Sequence, residues 1–232
     1  MLDISKVKAI SLDLDDTLWP ILPVILRAEA AMSDWLAHRA PQAAHLFAQP
    51  ERRQLLRQEV QRMFPGIGHD LSTLRREIIR HALTGTGEDV ALVEPAYQVF
   101  WAERMRVDLF ADVRPALTRL APLFPLIALS NGNADLQQVG VAEFFHAGLS
   151  AQSFGVGKPD PKIFHAAAMA AGVGAHEVLH VGDDAALDVL GGLGVGMQTV
   201  WVNRHEHLWT HENRPHATVS CLGQLCDLLD LR

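Results

Sequence analysis

The stretch "ISLDLDDTLWP" (Ile10–Pro20) sets three carboxylates, Asp13, Asp15 and Asp16, directly after a short apolar run. Like charges repel, and a carboxylate taken out of water is costly unless it is paired or bound to a metal. The cluster therefore demands compensation from elsewhere in the chain. The run before it, Val7–Leu12, reads as a buried parallel strand. Similar runs recur at Leu126–Ser130, Ala147–Ser150, Val178–Val181 and Gln198–Val202, with a weaker one at Ala217–Ser220. Helical patterns lie between them at Arg114–Leu120, Asp135–Val139, Pro161–Ala171, Ala185–Leu193 and Leu222–Leu229, and Asp160 is placed to cap the helix that Pro161 opens. The alternation predicts an α/β fold with a doubly wound, mostly parallel sheet.

One segment breaks the alternation. From Pro20 to Asp108 there is no convincing strand; "VILRAEAAMSDWLAHRA", "ERRQLLRQEVQRMF", "LRREIIRHAL" and "VEPAYQVFWAERM" read as amphipathic helices. Pro41, Pro50, "FPGIG" and "TGTG" punctuate them. The expected organisation is an α/β core from residues 1–19 and 109–232, interrupted by an α-helical cap over 20–108.

Ligands of open α/β sheets bind beyond the carboxyl ends of the strands, so the residues following each strand matter most. They are Asp13, Asp15, Asp16 and Thr17; then Ser130, Asn131 and Gly132; then Lys158 in "FGVGKPDP"; then Asp183 and Asp184, with Asp188 one helical turn on. Each group alone has a bland reading as a turn or a cap. Together and in this order they suit phosphoryl transfer. Carboxylates from two strand ends can hold Mg²⁺, which prefers oxygen ligands, and Lys158 offsets negative charge. A hydroxyl and backbone N–H groups at Ser130–Gly132 can grip phosphoryl oxygens. One carboxylate can attack phosphorus while a second handles the leaving-group proton.

With these four motifs in order, the chain resembles the haloacid-dehalogenase-like (HAD) hydrolase superfamily over nearly its whole length. The resemblance implies a Rossmann-like core, Mg²⁺ as cofactor, Asp13 as nucleophile and Asp15 as general acid/base. It implies Asp13, Asp183 and Asp15, the last through its backbone carbonyl, as metal ligands, with Asp184 and Asp188 supporting. Thr17, Ser130, Asn131, Gly132 and Lys158 become the phosphate-binding set. Many members carry Gly where this chain has Asp16, which marks Asp16 as structural. "SNGNA", "KPDPKIFHAAA" and "LHVGDDAALDVLGG" further resemble the bacterial phosphatases of this superfamily that act on flavin mononucleotide and on the phosphorylated pyrimidine precursor of riboflavin. The resemblance thus implies a phosphomonoesterase for a small phosphorylated metabolite. Rivals are a phosphomutase, a sugar-phosphate phosphatase, or a phospho-receiver-like regulatory module. A dehalogenase is disfavoured because those relatives lack the second carboxylate, here Asp15. Trp19, directly before the cap, and His69 and Arg75 within it are candidates to face the substrate.

The formal net charge of -7 argues against sequence-independent nucleic-acid binding. Cys221 and Cys226 form no metal-binding spacing and read as reduced thiols, no stretch has the pattern of a signal peptide, and no apolar run approaches a bilayer span, so a cytoplasmic protein is expected. Sequence leaves the oligomeric state open. "GGLGVGM" (Gly191–Met197) follows a helix and reads as close packing, "GVGKPD" lacks the Ser or Thr of a Walker loop, and the His-rich run Arg204–His216 reads as a polar loop. Tyr97 and Trp101, four apart, read as core packing.

Overall fold

The computed structural model describes residues 1–229, so the end of the expected core segment, 230–232, lies outside it. Six strands, β1 (Ala9–Leu12), β2 (Leu126–Ser130), β3 (Ala147–Ser150), β4 (Val178–Gly182), β5 (Gln198–Val202) and β6 (Ala217–Val219), form one parallel sheet in the order β3-β2-β1-β4-β5-β6. Parallel strands need both faces covered, and β1, β2, β4 and β5 are buried at every residue. The order reverses at β1, which has β2 on one side and β4 on the other. That reversal is where open α/β sheets place their ligands, and it sets the tips of β1, β2 and β4 side by side.

Contacts divide the chain into two compact units. One holds Met1–Pro20, Asp108–Gly132 and Val139 onward; the other holds Ile21–Val107 and Asn133–Gln138. In the inserted unit, α1 (Ile21–Ala37), α2 (Pro41–Phe47), α3 (Pro50–Met63), α4 (Leu71–Thr86) and α5 (Val93–Arg104) close around Met32, Phe47, Ile79, Leu83 and Phe100. Tyr97 belongs to this core, with Trp101 stacked on it at 6.0 Å between ring centroids. Helix α2 was not anticipated. Pro41 breaks a helix in mid-run, but it stands here at the first turn, where no N–H is needed.

In the core unit, α6 (Val113–Leu120), α7 (Ala151–Phe154), α8 (Pro161–Ala170), α9 (Gly191–Gly194) and α10 (Leu222–Leu228) flank the sheet. Asp160 caps α8 through Lys162 N at 2.9 Å. A wider π-helical segment, Ala185–Leu190, leads into α9, where a side chain on Gly191 would meet Phe164 and one on Gly192 would meet Thr199. The Gly-rich run is thus close packing, as its position after a helix suggests. The helix expected at Asp135–Val139 does not form. Asp135 Oδ1 instead accepts from the backbone N–H of Gln137 and Gln138, an Asx turn that competes with helical bonding. Asn133 and Asp135 belong with the inserted unit, where Asn133 Nδ2 donates to Ser72 Oγ and Asp135 N to Met105 Sδ.

Where the chain leaves the core and returns, the two crossings lie together. Phe110 N donates to Leu18 O at 3.0 Å. Arg204 donates to Thr17 O and to both oxygens of Asp112, with its guanidinium 3.9 Å from the centroid of the Phe110 ring. Among the described residues no helix is long and apolar enough to cross a membrane.

Candidate active site at the strand tips

Asp13 follows β1 directly, and its N–H donates to Val181 O, so the strand pairing continues through it. Its side chain is buried, and Oδ1 accepts from Lys158 Nζ at 2.6 Å. The same ammonium donates to Asp188 Oδ1 at 2.5 Å. The Lys158 side chain is only 2% exposed, so the interaction is not screened by water. Burial opposes the charge on Lys158, but Asp13 and Asp188 more than offset it and raise its pKa. Burial likewise pushes Asp188 up, yet Lys158 and His180 outweigh burial and hold it well below the usual carboxylate range. Asp13 keeps the deficit: burial lifts it well above that range, Lys158 offsets this in part, and Asp188 and Asp183 add to the lift.

Asp183, after β4, is raised to about 6 by burial and by neighbouring Asp188, against a lowering bond from Thr17. Its backbone oxygen accepts from the indole of Trp201 at 2.7 Å. Carboxylate oxygens of Asp13, Asp183 and Asp188 lie within 4.8 Å of one another. Three clustered acids share one ammonium, which is bonded to Asp13 and Asp188, and two of the three have raised pKa values. That donor set suits a hard divalent cation, which would supply the missing positive charge.

The β2 tip builds a clasp. Asn131 Nδ2 donates to Lys158 O at 2.8 Å, and Asn131 Oδ1 accepts from Lys158 N at 2.7 Å. The amide thus pairs with Lys158 as a neighbouring strand would and fixes where its ammonium emerges. Ser130 Oγ accepts from Gly132 N at 2.9 Å, which leaves the hydroxyl proton for another acceptor. Thr17, expected to bind phosphate, puts its hydroxyl on Asp183 Oδ1 at 3.0 Å. Asp184 is a helix cap: its Oδ1 accepts from Ala186 N and Leu187 N, and its own N–H donates to Asp188 Oδ2 at 3.0 Å. Gly182 has to be glycine for this approach, because a side chain there would overlap Asp188.

Asp15 points elsewhere. Its Oδ1 accepts from Trp19 Nε1 at 2.8 Å, and its side chain is not in the carboxylate cluster. Trp19 is fully buried, so the ring offered by sequence as a substrate contact is instead a partner of Asp15. Asp16 stands at φ 60°, the left-handed conformation that glycine adopts freely. This explains in backbone terms why it reads as structural. Of the other expected contacts, Arg75 pairs with Glu29 at 3.1 Å, sits over Phe100, and shares Glu29 with Arg53. His69 is half-buried on a short turn, Ile67–His69.

Two polar residues escaped sequence reading. His180 lies in β4 opposite Ser11 in β1, both buried. Its Nε2 faces Asp188 Oδ1 at 3.1 Å and its Nδ1 faces Ser11 Oγ at 2.8 Å. An ionised carboxylate only accepts, so Nε2 carries the proton and the Ser11 hydroxyl donates to Nδ1. Burial lowers the His180 pKa, which keeps the ring neutral. The signal was there: one Ser and one His inside otherwise apolar runs, "AISL" and "VLHVG".

The description "haloacid dehalogenase-like hydrolase" matches residues 7–196. The 5-amino-6-(5-phospho-D-ribitylamino)uracil phosphatase YigB of Escherichia coli (strain K12) is 33% identical, over 97% of this chain and 98% of the relative. A phosphoserine phosphatase of Thermus thermophilus is 29% identical over 85% of this chain and 89% of its own. The solved structure of a 2-haloacid dehalogenase from Pseudomonas syringae pv. Tomato DC3000 matches with a TM-score of 0.91 at 37% identity, over 97% of this chain and 98% of that one. With motifs, sheet order and relatives in agreement, the chain belongs to the haloacid dehalogenase-like hydrolases.

Proposed function

We propose that this hydrolase is a Mg²⁺-dependent phosphomonoesterase that works through an aspartyl-phosphate, with flavin mononucleotide or the riboflavin-precursor phosphate as its substrate. The observation that carries the reading is the pairing of Lys158 with Asp13 at 2.6 Å. It sets a buried carboxylate whose charge is under-compensated beside a fixed cation, a site that favours an incoming phosphate dianion only once more positive charge arrives. Full-length likeness to the Escherichia coli phosphatase supports the substrate class.

Asp13, Asp183 and the backbone carbonyl of Asp15 would hold Mg²⁺, with Asp188 beside them. When bound, the metal supplies positive charge for the phosphoryl oxygens. An Asp13 oxygen forms the bond to phosphorus as the bond to the leaving oxygen breaks. Lys158 neutralises charge gathering on the phosphoryl group, and the Ser130 hydroxyl donates to one of its oxygens. Asp15 gives a proton to the leaving oxygen, then takes one from the water that cleaves the aspartyl-phosphate. Asp188, held by His180, keeps Lys158 charged and in place.

The test is a release assay for free phosphate over flavin mononucleotide, the riboflavin-precursor phosphate, sugar phosphates and phosphoserine, with Asp13→Asn as control. Asp13→Asn should abolish release, and excess chelator should stop turnover. A fully active Asp13→Asn variant rejects the mechanism. Strong preference for a compact sugar phosphate rejects the flavin-related substrate, and an isomerised phosphate ester without free phosphate indicates a mutase. A second reading, dehalogenation, has the similarity to the Pseudomonas syringae protein in its favour. A halide ion leaves without a proton, so that reading gives the Asp15 carboxyl group no acid role to fill. Halide release from 2-chloropropionate would decide for that reading.

A further inference from the structure

We propose that Trp19 is the positioning residue for Asp15: its indole N–H binds Oδ1 and so holds the carboxyl group in one orientation for proton transfer. The inference rests on Asp15 acting as the general acid/base. The indole N–H only donates and an ionised carboxylate only accepts, so the 2.8 Å bond has one polarity in every step of the reaction. The indole can neither take the proton nor supply it. It can only fix the oxygen it touches, and with it the orientation of the carboxyl group.

The backbone holds the pair together from both sides. Asp15 and Trp19 form an isolated bridge, Asp16 N donates to Trp19 O at 2.7 Å, and Leu18 N donates to Leu14 O at 2.7 Å. Asp16 at φ 60° reverses the chain so that the residue four positions on returns over Asp15. Arg204, donating to Thr17 O, braces the outside of the same turn. Trp19 is fully buried, so a swing of Asp15 away would leave a buried N–H without its acceptor. Asp15 is thus kept apart from the cluster of Asp13, Asp183 and Asp188 and is held in one rotamer for proton work.

The chemistry balances. As an Asp13 oxygen bonds to phosphorus and the ester P–O bond breaks, the proton on the Asp15 carboxyl group moves to the leaving oxygen. Water then bonds to phosphorus, its proton passes to the Asp15 carboxylate, and the P–O bond to Asp13 breaks to return the Asp13 carboxylate.

The experiment compares kcat/KM for phenyl phosphate and 4-nitrophenyl phosphate in saturating Mg²⁺. This parameter reports the first phosphoryl transfer, and nitrophenolate departs with far less need of a proton than phenolate. General acids contribute roughly 10²–10⁴-fold. Trp19→Phe, which keeps a ring and loses the donor, should therefore fall about tenfold further on phenyl phosphate than on 4-nitrophenyl phosphate. Equal losses on the two esters mean a merely structural ring and overturn the proposal. If Trp19→Phe does not fold, Trp19→His makes the same comparison: a ring that keeps an N–H should hold the ratio of the two rates within about threefold of the parent, and a tenfold change overturns the proposal. Asp15→Asn run in parallel separates the two levels. Selective loss on phenyl phosphate in Asp15→Asn but not in Trp19→Phe rejects Trp19 alone. No selectivity in Asp15→Asn rejects the acid/base reading itself.

Discussion

Replacing Lys158 by Met tests the electrostatics of the strand tips directly. The side chain is 2% exposed and is bonded to two carboxylates, Asp13 and Asp188, whose side chains are 10% and 1% exposed. Methionine fills much of the same volume but leaves both acids without their cation. Breaking a buried ion pair by removing one partner costs about 3–5 kcal/mol. The cost has a definite pH dependence. In the parent, Asp188 is depressed by Lys158 and His180, so its contribution is present above the usual carboxylate pKa and is lost as pH falls. In Lys158→Met both acids are raised, so the folded state gains protons in acid and loses stability as pH rises. The deficit should be about 3–5 kcal/mol at pH 7 and under about 2 kcal/mol at pH 4.5. Urea unfolding in chelator, followed by tryptophan fluorescence, reads it; Trp201, bonded to Asp183 O, sits at the site. A deficit below about 1 kcal/mol at pH 7, or one equal at both pH values, refutes the account of Lys158 as the cation both acids require.

Three further outcomes are expected. Asp183 is raised to about 6, so below that pH Mg²⁺ must displace a proton and its apparent dissociation constant should weaken about tenfold per pH unit; calorimetric titration showing no change between pH 5 and pH 7 contradicts the assignment. Asn131→Ala removes both bonds that pin the Lys158 backbone. It should cost about 1–3 kcal/mol in urea unfolding and lower kcat, whereas an unchanged midpoint means the clasp is idle. At Asp16, with φ 60°, glycine should be tolerated within about 0.5 kcal/mol and valine should cost about 1–2 kcal/mol, and equal thermal midpoints for the two variants would exclude backbone strain there.

The strand tips were legible because two rules act locally. Buried parallel strands must be apolar, and the polar groups a ligand needs come just after them, so "AISLD", "LIALSNG" and "VLHVGDD" each announce a strand and its tip. What escaped reading depends on partners distant in sequence. The bond from Thr17 to Asp183 joins residues far apart in the chain. Trp19 looks like a free aromatic until the chain reversal at Asp16 lays it on Asp15. Ser11 and His180 pair only through the register of β1 with β4. Pro41 and Asp135 misled for local reasons: a proline opens a helix as readily as it breaks one, and an Asx turn can outcompete a five-residue helix that is too short to nucleate alone.

The bond between Phe110 N and Leu18 O has a consequence for how such a chain diversifies. The severed ends of the sheet domain already meet at hydrogen-bonding distance, braced by Arg204 and Asp112. The domain therefore treats everything between Pro20 and Asp108 as a single loop, and the entropy of closing a loop grows only slowly with its length. The insert can be shortened, lengthened or exchanged while every strand keeps its register. Such an architecture lets the insert change as a cassette while the strand tips stay fixed.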